Sequence, residues 1–344
     1  MKKIVLGILA VTIIGGVSFM MKAVFLDRPA DPQAFVNQAV ANYFETESAA
    51  FESSVNLSIS GAENLAGNLV LSFSGRGNEL KKYLPNLDYN LAVTGTAGGA
   101  TIDLAGELLI LDEVFYGKLA RANLTGAPNE IAAAVGAAGA FAEKWFAISF
   151  AKLKSADPEI EKLFEEQKNK QLALRTELKN LFATNDIFLV KSLPFSFGQN
   201  QKFKVELNSE FLASNQFFTI IEKMLTPQLS EGTESPFALT EEIKNLIKKV
   251  LLTIAKNSSG TLEIGKKNGL IQRETVVLNL NLTDLSLESL PDGQITIYAD
   301  TKISGIGKPQ EIFAPTEFEE IDPLTLIPAP AEVATELETE ENLE

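Results

Sequence analysis

Histidine and cysteine are both missing from the 344 residues, and most familiar active-site chemistry goes with them. Without cysteine there is no disulfide, no thiol nucleophile, no thiolate metal site, and no lipid-modified cysteine to hold the chain at a membrane. Without histidine there is no Ser-His-Asp relay, no imidazole zinc ligand and no side chain that titrates unperturbed near neutral pH. Catalysis would fall to carboxylates, Lys, Tyr or Ser alone. A basic patch is also lacking. The formal charge is −15, and eleven acidic residues follow Pro309 with no Lys or Arg among them, leaving −4 for the first 308 residues. The acidity therefore belongs to the tail, and no surface invites nucleic acid. No segment repeats at a period of about 20 to 50 residues, which argues against a solenoid or propeller.

What is present starts with 18 uncharged, mostly apolar residues, Ile4 to Met21, behind Lys2 and Lys3. At about 1.5 Å per residue they make a helix of roughly 27 Å, close to a ~30 Å hydrocarbon core. The two lysines favour a cytoplasmic N-terminus and put the body outside the cytoplasm. Residues 1–26 read as a single-pass signal anchor, with a cleaved signal peptide, and hence a secreted protein, as the competing reading.

Asp31 followed by Pro32 marks a helix start, with Phe35, Ala39, Val40 and Phe44 at helical spacing. From Phe51 the period changes to two. Val55, Leu57 and Ile59, then Leu69, Leu71 and Phe73, then Leu87, Tyr89, Leu91 and Val93 alternate with polar residues, and 101–111 and 114–120 continue the pattern. Short links predict an antiparallel meander with one apolar and one wetted face. The Ala-rich insert Gly126 to Lys144 predicts a marginal helix, and Trp145 to Phe150 predicts a strand with Phe146, Ile148 and Phe150 on one side. A long helix is expected over Ser155 to Ala183, striped by Ile160, Leu163, Phe164, Leu174, Leu178, Leu181 and Phe182. Strands at 187–193 and 202–207 precede apolar helices at Phe211 to Leu225 and Leu239 to Lys256. A hairpin around Asn268-Gly269 and a last strand, 294–304, complete the body. From Ala314 the Pro- and Glu-rich composition reads as a disordered tail.

The order of these elements resembles the LolA/LppX-like group of bacterial envelope proteins. Local phrases carry the likeness: Val114-Phe115-Tyr116-Gly117-Lys118, Lys144-Trp145-Phe146-Ala147-Ile148, Gly260-Thr261-Leu262-Glu263-Ile264 with its Asn268-Gly269 return, and the closing Gly307-Lys308-Pro309-Gln310-Glu311-Ile312-Phe313-Ala314-Pro315. The resemblance spans roughly residues 31 to 315. It implies an α+β domain in which a curved antiparallel sheet, a half-barrel, is roofed on its apolar face by helices around a cavity for acyl chains. The chain departs from the LppX-like members in having no cysteine to lipidate.

The expected organisation is an anchor over 1–26, a half-barrel over 31–313 and a tail over 314–344. The candidate wall of an apolar pocket is Leu91, Val93, Ile102, Leu104, Phe146, Phe150, Phe217, Phe218, Ile221, Leu278 and Leu280. Any one of them could instead fill a solid core. The carboxylate pairs Asp112-Glu113, Glu165-Glu166, Glu241-Glu242 and Glu319-Glu320 read as turn, helix surface, helix start and tail. No metal site, cofactor or catalytic constellation emerges. Two functions fit: a membrane-tethered, non-catalytic module that binds a lipid or other apolar ligand, or a surface interaction or envelope-scaffolding protein with a solid core.

Overall fold

The computed structural model describes residues 31–61, 66–126, 142–156, 158–193, 200–219, 241–265, 269–285 and 292–322. The anchor segment Ile4 to Met21 and most of the Ala-rich insert lie outside them. Among the described residues no helix is long and apolar enough to cross a membrane.

The twelve strands among the described residues belong to one sheet, curved and unclosed, in the order β12-β6-β5-β4-β3-β2-β1-β11-β10-β9-β8-β7. Five long neighbours, β1 (Ser48–Ser60), β2 (Gly67–Asn78), β3 (Asn86–Ala97), β4 (Ala100–Leu111) and β5 (Val114–Thr125), form the expected meander. β6 (Trp145–Ser149) follows β5. On the other flank β7 (Phe188–Ser192), β8 (Asn200–Leu207), β9 (Ser258–Gly265), β10 (Ile271–Asn281) and β11 (Gln294–Ser304) run outward from β1. The β3–β4 turn places Gly98 and Gly99 at φ +57 and +83, the positive values a tight primed turn requires. Asp112 and Glu113 take the same conformation without glycine, and the Asn86 Oδ1 accepts from the Asp112 N–H at 3.2 Å.

Helix α1 (Pro32–Tyr43) starts as expected: Asp31 Oδ1 accepts the Gln33 N–H at 2.8 Å, with proline in the first turn. It lies against β7, and its Phe35 stacks on Phe203 of the neighbouring β8 with centroids 5.3 Å apart. Gln33 also serves the exposed edge of β7. Its Nε2 donates to the Phe188 carbonyl at 2.6 Å and its Oε1 accepts the Val190 N–H at 3.0 Å, the two bonds a further strand would make. Helix α5 (Glu241–Asn257) covers the centre of the sheet: Val250 and Ile254 pack on Val55, Leu278, Leu280, Leu282 and Ile297.

Five expectations need correction. Phe150 does not extend β6; it opens a short helix, α2 (Phe150–Ala156), because Ser149 Oγ accepts the Lys152 N–H at 3.3 Å. The long helix α3 (Pro158–Thr184) does not roof the sheet along its length. Only its last turns enter the core, through Leu178, Leu181 and Phe182, while Leu163 in its first half is 45% exposed. The helix expected from Phe211 to Leu225 breaks: α4 (Ser209–Leu212) ends at Ala213 and residues 215–219 are helical again. Ser214 Oγ accepts the Phe217 N–H at 3.3 Å and so caps the second piece.

Residues 314–322, assigned to the disordered tail, are the end of an ordered strap. Gln310 is clasped by Asn78, whose Nδ2 donates to the Gln310 carbonyl at 2.6 Å while its Oδ1 accepts the Gln310 N–H at 2.7 Å. Ile312 then packs beside Leu109, Tyr116 and Ala147, and the Phe318 ring meets Tyr116 edge-on at 5.3 Å. The strap finishes as β12 (Glu319–Glu320), which pairs with β6 in parallel, so the sheet is not wholly antiparallel.

Candidate functional site

Register carries the alternation of each strand across the whole sheet. One cross-strand row reads Ala299, Val55, Leu71, Val93, Leu104, Ala122; the next reads Thr301, Ser53, Phe73, Leu91, Gly106, Leu119. A third runs Ile303, Phe51, Gly75, Tyr89, Leu108, Gly117, Phe146. All three lie on the face that carries Leu278 and Leu280 of β10 and Phe203 and Val205 of β8. One face therefore runs from β7 to β6, apolar except at Glu274, Thr301 and Ser53.

Its cover is not continuous. On the β7–β11 flank, α1, α5 and the end of α3 bury Phe203, Leu262, Ile264, Leu278, Leu280 and Ile297. Over β2–β5 the large side chains of the same face are half-buried at best, and Leu91 and Leu108 are 42% and 39% exposed. The boundary is aromatic. Phe51 meets Phe73 at 6.2 Å and Tyr89 at 5.3 Å, with the Tyr89 ring lying over Gly75 so closely that a Cβ there would come within 2.4 Å of it. Burial pushes the Tyr89 phenol above its ordinary pKa.

The candidate wall residues fall into separate groups. Leu91, Val93, Ile102 and Leu104 sit side by side on the thinly covered face of β3 and β4, and Phe146 joins the same face on β6. Leu278 and Leu280 share the face but are 4% and 3% exposed beneath α5, where they fill the core. Phe217 is buried against Phe211 at 5.7 Å, with Phe218 at 6.3 Å from it. Phe150 has left the sheet for α2 and packs its ring on Phe164 at 5.7 Å. Ile221 lies outside the described residues.

The alternation also hid a polar seam. Glu274 of β10 is 4% exposed on the apolar face, in register with Thr301, whose Oγ1 is 2.8 Å from Ser53 Oγ. Three polar residues thus stand in one row between the two halves of the core.

The opposite face holds a trough of about 450 Å³ lined by Ser54, Ser72, Ser74, Asn90, Ala92, Ala105 and carboxylates at its rim. Cross-strand ion pairs stand on this face, Arg76–Asp88 at 2.8 Å, Lys118–Glu107 at 2.9 Å and Arg273–Asp300 at 2.7 Å, beside the apolar cluster of Leu109, Tyr116 and Ala147 beneath the strap. The Arg273 guanidinium, hydrogen-bonded to Asp300, holds that carboxyl below the usual carboxylate range, and Asp300 in turn raises Arg273.

A second concavity, about 370 Å³, lies at the rim between the β2–β3 loop and α3. Tyr83, Leu84, Phe164 and Leu172 supply its apolar surface, and Lys81, Lys82, Lys154 and Lys168 surround it with Glu113 and Glu165. Arg175 fixes this rim. Its guanidinium donates to the carbonyls of Phe44 and Leu80, joining α3 to the end of α1 and to the β2–β3 loop, and burial pushes its pKa down. Of the cleft's residues the apolar stripe of α3 named Phe164 alone; nothing in its spacing pointed to the lysines, to Leu172 or to Arg175. Among the described residues no group of carboxylates is placed to hold a metal ion.

No protein-family model and no curated protein matches the sequence. Among solved structures the chain is similar to the crystal structure of the Mycobacterium tuberculosis lipoprotein LppX, with 9% identity, 83% of this chain and 100% of that chain covered, and a TM-score of 0.26. The likeness falls in the group that the order of elements resembles. A similarity this distant carries no activity or ligand from one chain to the other.

Proposed function

We propose that the protein is a non-catalytic binding module whose thinly covered apolar face, over β2–β5, takes a lipid or other apolar ligand. The observation that carries this reading is the row of large apolar side chains that the fold leaves in contact with solvent. Leu91 and Leu108 stand 42% and 39% exposed on neighbouring strands, beside the half-buried Val93, Ile102 and Leu104. Each such side chain withdrawn from water by a ligand contributes roughly 1 to 2 kcal/mol, so a few contacts suffice for useful affinity. The apolar Ile4 to Met21 segment would tether the module, placing the body outside the cytoplasm.

The test is native mass spectrometry and lipid extraction of protein purified without detergent. Co-purifying lipid, lost when Leu91 and Leu104 are both changed to Asp, is the expected result. Protein that is ligand-free in repeated preparations and binds no added fatty acid would overturn the reading.

A second reading, a surface interaction protein, is favoured by the trough on the opposite face. The Ser54, Ser72, Ser74 and Asn90 side chains there present hydroxyl and amide groups to solvent, suited to a polar partner. A partner captured by the wild type and lost in Ser72→Arg, with lipid content unchanged, would favour it.

A further inference from the structure

The geometry points to the rim cleft beside α3 as the seat for the anionic end of the ligand, which makes the preferred ligand a phosphate- or carboxylate-bearing amphiphile. The inference rests on the apolar-face reading above. The cleft adjoins the end of that face, with Glu113 of the β4–β5 turn in its lining. The last apolar row of the sheet, Leu87, Ile110, Phe115 and Ile148, ends one residue pair short of Phe150. Phe150 packs on Phe164 at 5.7 Å, and Phe164 meets Tyr83 edge-on at 6.4 Å. From the end of β6, then, a chain of ring contacts, Phe150 to Phe164 to Tyr83, leads into the cleft.

Charge completes the match. Four lysines and two glutamates line the cleft, and the Lys154 ammonium stands 5.4 Å from the Phe164 ring centroid. Lys168 pairs with Glu165 at 2.8 Å and Lys82 with Glu79 at 2.6 Å, both three residues apart along the chain and with every partner at least 42% exposed. Exposed pairs of this kind hold by about 0.5 kcal/mol or less, so an arriving anion replaces the glutamate at little cost. A cavity of about 370 Å³ suits a compact head rather than a large glycan.

The experiment titrates the full chain with dodecyl phosphate, with dodecyl maltoside, which has the same tail and a neutral head, and with inorganic phosphate, each below its aggregation threshold. Wild type is expected to bind dodecyl phosphate about tenfold more tightly than the maltoside, a preference that shrinks as salt rises. In the Lys82→Gln/Lys168→Gln double variant the preference falls below about twofold while maltoside affinity stays the same. Equal binding of the two amphiphiles by wild type, or a preference that survives in the double variant, overturns the inference and leaves the apolar-face reading standing. Inorganic phosphate binding as tightly as dodecyl phosphate would make this a free-anion site and overturns it too. Failure of both amphiphiles to bind overturns the apolar-face reading itself.

Discussion

Leu91→Ala and Leu280→Ala remove the same atoms from the same face of one sheet, yet they should have very different costs. Leu280 is 3% exposed beneath α5, with Leu278, Val250 and Ile254 in the same cluster. Deleting a buried leucine loses the transfer energy of the removed carbons and leaves a cavity, together about 3 kcal/mol. Leu91 is 42% exposed on the open half. Its truncation forfeits a fraction of the transfer term and leaves no enclosed void, about 1 kcal/mol or less. Urea unfolding followed by circular dichroism should therefore separate the two variants by about 2 kcal/mol, a factor of roughly 30 in the unfolding constant.

Their response to an apolar ligand should run the other way from their cost. A ligand that binds only the folded chain stabilises it by RT ln(1 + [L]/Kd), so an apolar ligand at saturating concentration should raise wild type and Leu280→Ala by similar amounts and Leu91→Ala by less. Equal destabilisation by the two substitutions would mean that the β2–β5 face is packed as tightly as the β10 core, and the case for an open binding surface would collapse.

Other consequences follow from single contacts. Arg175→Met strips two backbone carbonyls, of Phe44 and Leu80, of their donor and should cost about 2 kcal/mol, with faster amide exchange at the α1–β1 junction. Asp300→Asn should cost about 1 kcal/mol at neutral pH, discounted because the Arg273 side chain is 42% exposed. The depressed Asp300 carboxyl contributes stability that is fully present above the ordinary value of 3.8 and fades as pH falls below it, so the gap between variant and wild type should close there; a gap independent of pH would refute the pairing. Asn78→Ala breaks both bonds to Gln310 and should loosen the strap by about 1 to 2 kcal/mol. Its readout is the emission of Trp145, the one tryptophan, which packs on the Leu109, Tyr116 and Ala147 cluster that Ile312 of the strap also covers.

The meander was legible because a period of two over twelve residues admits few other readings, and β2 through β5 each run twelve residues in register. The start of α1 was legible because Asp31 and Pro32 are local signals. What failed was also local: apolar content from Phe211 onward looked like one helix, yet Asn208 and Ser214 are both capping residues and cut it in two. Ser149 did the same at Phe150. Composition misled at the C-terminus, where prolines and glutamates surround Ile312 and Phe318, the two side chains that tie the strap down. The rim cleft was invisible for another reason. Tyr83, Lys154 and Phe164 come from a loop and two helices, and the side chain that brings them together, Arg175, works through backbone carbonyls that no spacing rule reports.

Simple dimensions explain why the sheet is left part-covered. Strands spaced about 4.8 Å apart make a twelve-stranded sheet more than 50 Å wide, and a packed helix covers about 10 Å of it. Among the described residues α1, α5, the last turns of α3 and the short pieces at 209–212 and 215–219 pack on the apolar face, and the three longer elements can cover a little over half of that width. The remainder is close to the span of β2–β5, and that is where Leu91 and Leu108 emerge into solvent. The rest of α3 runs along the rim instead, held there by Arg175, and builds the charged cleft at the end of the uncovered rows. One helix displaced from face to rim thus accounts for both an open apolar surface and a polar seat beside it, the pair of features an amphiphile requires.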